Sequence, residues 1–189
     1  NNAGLIEKAR FFEADVVVLD VEDSIPPSEK ERGRDMAREA IPRVADSGAD
    51  VYVRINDFTT GWAHLDLEAV VQPALAGIVL PKAESREHVV LLEKKLFELE
   101  HRLGLPIGHT KIQCIIETAK GVWNAYECGI ASPRVNSLVF GAVDYTRDMR
   151  VELTKEGPEI LHARSHTAIA ARAAGIVAID PPFPSFSDV

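Results

Sequence analysis

Apolar positions along this chain alternate between two textures. Six short, continuous runs rich in Val, Ile and Leu recur at Val16–Leu19, Val51–Ile55, Gly77–Leu80, Ile112–Ile116, Leu138–Phe140 and Ile176–Ile179. Runs without polar alternation are the pattern of strands covered on both faces. Between them the period lengthens to that of helices. Ser28 and Glu31 form a capping-box signature ahead of a helix reaching about Val44, interrupted by Gly33 and Pro42. Ser85 stands at the cap position of a helix whose apolar face is Val89, Leu92, Leu96, Leu99 and Leu103, closed by Gly104. A last helix starts at Gly157-Pro158 and stops at Gly175. Strand–helix alternation at this pitch predicts βα units on a parallel sheet, in one α/β domain over residues 1–189.

Composition narrows the function classes. With 46% hydrophobic residues in 189, the chain has the material for a packed core, which excludes a disordered chain. No apolar run approaches the length of a membrane span, and no secretory-type leader opens the sequence. The net charge of −8 argues against a nucleic-acid surface, which needs a basic face. Cys114 and Cys128 match no metal spacing, and a reducing cytoplasmic setting is the economical reading.

The choice between open sheet and barrel turns on the strand ends. No G-x-G-x-x-G and no G-x-x-x-x-G-K-[ST] follows any strand, against a doubly wound nucleotide fold. Instead a charged residue stands at or just after each strand end: the Asp20-Val21-Glu22-Asp23 cluster, Arg54, Lys82, Glu117, Asp144 and Asp180. One such acid is commonly a helix cap. Charges at all six ends suggest a TIM (β/α)8 barrel, in which those ends converge on one mouth. A full barrel needs eight strands, so the first strand and the final βα unit are expected to lie outside this sequence.

Acids without histidine or cysteine companions select a hard cation. Glu117 and Asp144 follow successive strands and suit Mg2+, which takes the rest of its shell from water and substrate. Arg54 offers a planar fork for a substrate carboxylate, and the amides of Gly141 and Ala142 lie in a turn beside the acids. This describes a site for a 2-oxo acid; structural ion pairs on neighbouring strands are the competing explanation. His162 and His166 share a helix face, but that helix runs outside the barrel. Trp62 and Trp123 read as packing, with Trp62 close enough to Arg54 to line the mouth. Cys114 reads as core, and Lys82 as a charge partner for Glu84 or another acid rather than an imine-forming lysine.

Five blocks then carry a resemblance: Leu19-Asp20-Val21-Glu22-Asp23, Val53-Arg54-Ile55-Asn56, Val79 to Ser85, Ile116-Glu117-Thr118-Ala119 and Val139 to Asp144. In this order they resemble the HpcH/HpaI aldolase/citrate lyase family, nearest its citrate lyase β-subunit-like branch. The resemblance implies a Mg2+-dependent carbon–carbon lyase cleaving a 3-hydroxyacyl thioester (citryl-, malyl- or citramalyl-, on coenzyme A or acyl-carrier protein). The products are a 2-oxo acid or glyoxylate and an acyl thioester such as acetyl-CoA. It makes Glu117 and Asp144 the metal ligands, Arg54 the carboxylate clamp, and Glu22 and Asp23 acids near the metal water. It also implies a homo-oligomer, trimer or hexamer, and partner lyase subunits. The alternatives are a metal-dependent aldolase of free 2-oxo-4-hydroxy acids and a non-catalytic barrel subunit. The family usually has Glu before its metal Asp, where this chain has Val143.

Overall fold

The structure is a computed structural model that describes residues 2–181; residue 1 and residues 182–189, the two ends of the expected domain, lie outside it. Six strands form one sheet in the order β1 to β6, every neighbouring pair parallel. They are β1 Val16–Asp20, β2 Asp50–Arg54, β3 Gly77–Leu80, β4 Lys111–Ile116, β5 Val135–Phe140 and β6 Val177–Ile179. The sheet curls into a half-barrel with α/β connections, the TIM-barrel type of architecture.

Side-chain alternation divides the sheet into two faces. The outer face carries Val51, Val53, Ile78, Leu80, Ile112, Cys114, Ile116 and Leu138, all buried under the helices in one large cluster. The inner face carries Tyr52, Val79 and Ile115 in a small separate cluster, with Val139 packed against it. Gly77 exists for this inner layer: a Cβ there would lie 2.2 Å from the Tyr52 ring, whose hydroxyl accepts from Asn136 Nδ2 at 2.6 Å.

The helices are α1 Ala3–Ala9, α2 Lys30–Ala45, α3 Ala63–Val70, α4 Arg86–Leu103, α5 Ala119–Trp123, α6 Ala125–Gly129, α7 Ala142–Met149 and α8 Pro158–Ala174. Gly104 and Gly175 end α4 and α8 in the left-handed conformation, as their positions predict. Pro42 sits inside α2 without breaking it. It lacks the N–H that would reach the carbonyl of Arg38, and Gln72 Nε2 donates to that carbonyl instead at 3.0 Å.

Three local expectations are corrected. Ser28 lies in a 3-10 turn, Pro27–Glu29, and makes no cap, because Pro26 and Pro27 set the approach to α2. Ser85 occupies the N-cap of α4 but forms no cap hydrogen bond. Leu103 is exposed, since the last turn of α4 runs past the sheet it packs on. No helix of the described residues is long and apolar enough to cross a membrane.

Candidate active site

The mouth of the half-barrel is built from loops that follow the strands. Asp20 ends β1 and Arg54 ends β2, and the two are directly paired in the ladder. Arg54 Nε donates to Asp20 Oδ1 at 2.8 Å and Nη2 to Asp20 Oδ2 at 2.6 Å, while Nη1 lies 3.1 Å from Glu22 Oε2. Two of the five guanidinium N–H groups are thereby hydrogen-bonded to Asp20, and Nη1 meets Glu22 as an ion pair only. A side-on fork free for substrate is therefore not what the chain presents: Asp20 fills it, and only the outer edge of Arg54 faces the cavity.

The loop carrying Glu22 and Asp23 is held from beneath by a buried polar network that sequence reasoning missed. Lys30 Nζ donates to the carbonyls of Val21 at 3.0 Å and Glu22 at 2.6 Å, and Asn56 Nδ2 donates to Val21 at 3.0 Å. Asp66, fully buried, accepts from the Asn56 amide and side chain and from Arg34. Trp62 lies under the Arg34 guanidinium at 5.5 Å and does not line the cavity. In the sequence Lys30, Arg34 and Asp66 are polar residues at helix positions and Asn56 follows the β2 run, and nothing there marks them as buried.

Glu117 directly follows β4 and is 4% exposed. Its Oε1 accepts the main-chain N–H of Lys82 at 2.8 Å. Burial, with the charges of Asp144 and Glu22, outweighs that bond and Arg54 and pushes its carboxyl up to about 7. Gly141, level with Glu117 across the β4–β5 ladder, must be glycine: a Cβ there would lie 2.6 Å from Glu117 Cβ and 2.7 Å from Oε2. Its amide is not a substrate donor as expected, because it donates to the carbonyl of Ile116 at 3.0 Å and continues the ladder. Ala142 opens α7, where helix amides lack intrahelical partners, and Asp144 lies in that first turn, paired with Arg147 at 2.6 Å.

Glu22 is also buried; burial, with Asp23 and Asp20, raises its carboxyl despite Arg54 and Lys82. No hydrogen-bond partner satisfies Glu22 Oε2, although Arg54 lies 3.1 Å away, so the contact is an ion pair of poor angle. Lys82 reaches Glu22 Oε1 at 3.6 Å, and Glu84 pairs instead with Lys120 at 3.4 Å. Lys82 sits at φ 47°, in the left-handed region, where a side chain costs about 1–2 kcal/mol.

A cavity of about 460 Å³ opens over these groups. Asp23, Arg54, Glu117, Gly141, Ala142 and Asp144 line it, together with Arg147, Lys155 and Arg164. The structure brings the sequence-selected residues to this one mouth, with Glu22 just beneath it. His162 and His166 lie on α8 with ring centroids 6.1 Å apart and do not line the cavity. Two buried or half-buried carboxylates with open positions and oxygen donors only are a donor set that fits a hard divalent cation such as Mg2+. Among the described residues no cluster of three or more His, Cys, Asp or Glu is grouped for a metal, so the rest of such a shell would come from water and substrate.

Known proteins resemble this chain in sequence and in fold. The chain is 36% identical over 188 residues to the citrate lyase subunit beta of Leuconostoc mesenteroides subsp. cremoris, covering 100% of this chain and 62% of the relative. It is 30% identical over 206 residues to the L-malyl-CoA/beta-methylmalyl-CoA lyase of Cereibacter sphaeroides, covering 97% of this chain and 64% of that protein. Its fold matches the magnesium/glyoxylate complex of malate synthase from Haloferax volcanii with a TM-score of 0.85 and 25% identity, over 98% of this chain and 60% of that one. The chain thus spans about three fifths of the length of these relatives. With residues 1–186 matching the family model described as HpcH/HpaI aldolase/citrate lyase, the chain belongs to that family.

Proposed function

We propose that this chain carries the Mg2+ and 2-oxo-acid site of a carbon–carbon lyase that cleaves a 3-hydroxyacyl thioester of the citryl, malyl or citramalyl type. The observation that carries the reading is Glu117. A carboxyl buried to 4% exposure and pushed up to about 7 beside Asp144 is an electrostatic debt that a divalent cation would cancel. Glu117 and Asp144 would hold the ion. When bound there, Mg2+ supplies stabilisation of the negative charge that grows on the carbonyl oxygen of the oxo acid.

The remaining work falls to the chain's own groups. The outer edge of Arg54 holds the oxo-acid carboxylate, its orientation set by the two bonds from Asp20. Asp23, exposed at the loop tip and lining the cavity, takes the proton from the 3-hydroxyl as the Cα–Cβ bond breaks. The bond electrons pass to the acyl thioester as its enolate, and a proton returned to Cα completes the acyl product. Arg147 and Arg164, paired at rest with Asp144 and Asp180 in the same cavity, would exchange those partners for an anionic acyl chain or carrier. Magnesium and glyoxylate in the malate synthase neighbour, and the thioester lyase named among the relatives, support this class over cleavage of free hydroxy-oxo acids.

The same reading includes assembly as a trimer or hexamer, or with other lyase subunits; the relative named a beta subunit supports the latter. It includes a reducing cytoplasmic setting, supported by Cys114 and Cys128 being buried and unpaired. The test is to incubate the full-length protein with Mg2+ and citryl-CoA, malyl-CoA or citramalyl-CoA and follow thioester and oxo-acid products. Turnover of one of them, lost in EDTA and in Glu117→Ala, is the expected result. Cleavage of thioester-free substrates alone would overturn it in favour of an aldolase.

A further inference from the structure

Lys82 is an unusual residue to find where it is. Its backbone lies at φ 47°, a conformation that glycine or asparagine adopts at little cost and a lysine does not. Strain of this kind persists where the surrounding structure over-determines it. Two independent contacts do so here. The main-chain N–H that this conformation turns inward donates to Glu117 Oε1 at 2.8 Å. The side chain leaves the same turn in the direction of Glu22, its ammonium 3.6 Å from Oε1. A single residue, two positions beyond the end of β3, is therefore hydrogen-bonded to the acid that follows β4 and ion-paired with the acid in the loop after β1.

We propose that Lys82 is a positioning residue of this site. Its amide commits one oxygen of Glu117 and leaves the other for a divalent cation, while its ammonium ties the Glu22 loop into the same arrangement and adds positive charge for an anionic oxo acid. The glycine at 141 has the complementary task, since it leaves room for Glu117 Oε2. The amide and the ammonium act on different ligands, so they separate experimentally. Replacing a bonded partner of a metal ligand typically costs about 10–100-fold in metal affinity.

The inference rests on the lyase reading for the identity of the ligands, and its test is read by binding rather than turnover. Mn2+ binding is titrated in full-length Lys82→Val, Lys82→Asn and Lys82→Gly, which lose the same charge but differ in their tolerance of the left-handed backbone. Lys82→Val is expected to bind Mn2+ about tenfold or more weakly than the other two, which stay within about threefold of the wild type. Oxaloacetate binding to the Mn2+-loaded protein is expected to fall about tenfold in Lys82→Gly and to recover in Lys82→Arg. In metal-free protein, deuterium exchange at the Lys82 amide is expected to be slow and to speed up about tenfold in Glu117→Ala, a readout that needs no folded Lys82 variant. Equal Mn2+ affinity in the three neutral variants, or unchanged exchange in Glu117→Ala, overturns the proposal. Wild-type lyase activity with that flat result leaves the lyase reading standing. The expected binding pattern without turnover of any thioester does the reverse.

Discussion

Glu117 costs the metal-free protein stability. Its carboxyl, about 7 in the fold and 4.5 ordinarily, keeps a proton that the unfolded chain releases between those two pH values. Folding stability therefore falls as pH rises through that window, by at most about 3 kcal/mol once pH passes 7. Glu117→Gln removes this loss, so in EDTA its stability relative to wild type should rise between pH 5 and pH 8, as chemical denaturation would register. The same variant should lose Mg2+ binding. A variant less stable than wild type at pH 8 would contradict the burial argument. Gly141→Ala should displace Glu117 at a cost of about 1–3 kcal/mol and weaken the metal at least tenfold, by thermal melts and Mn2+ titration. Arg54→Lys cannot reproduce the bidentate bond to Asp20 and still offer its outer edge, so oxo-acid affinity should fall at least tenfold; unchanged binding would remove Arg54 from the clamp role. What the sequence could show at this scale was which residues are acids and cations at strand ends. It could not show that Asp20 occupies the fork of Arg54, because that follows from strand register. Nor could it show that the Gly141 amide is spent on Ile116.

At the scale of elements, α4 is locked to the approach to β5 by a buried pair that takes no part in the site. Arg134 Nη1 and Nη2 donate to Glu100 at 2.7 and 2.6 Å, and the amides of Gly108 and Thr110 complete the carboxylate. Burial raises the Glu100 carboxyl, but Arg134 and the two amides outweigh it and leave it below its ordinary value. Its contribution is therefore present above the unfolded value and lost as pH falls through the lower folded one, the opposite dependence to Glu117. Arg134→Met should cost about 3–5 kcal/mol at pH 7 by leaving Glu100 buried without its partner, and the deficit should shrink in acid; urea melts at pH 7 and pH 4 would show both. Apolar continuity located all six strands, and β3 begins and ends where the run does. Helix starts were legible less often: prolines preset the entry to α2 where a serine cap was expected, and local side-chain chemistry alone does not reveal which of two devices wins.

At the scale of the molecule, the curl of the parallel sheet is what turns residues far apart in the chain into a site. Glu117 and Asp144 come from neighbouring strands, Asp23 from the far edge of the arc, and all three line one cavity of about 460 Å³. That convergence was predictable from the strand-end pattern, since parallel strands with α/β connections put every such end on one side. The supporting layer was not: Lys30, Asn56 and Asp66 look like ordinary surface residues until the fold buries them under the β1 loop. The most direct test is anomalous diffraction from crystals of the full-length protein soaked with Mn2+ and oxaloacetate. The account predicts a single strong peak within bonding distance of one oxygen each of Glu117 and Asp144, with the oxo-acid carboxylate turned toward Arg54. A peak elsewhere, or an oxo acid bound away from Arg54, would contradict it.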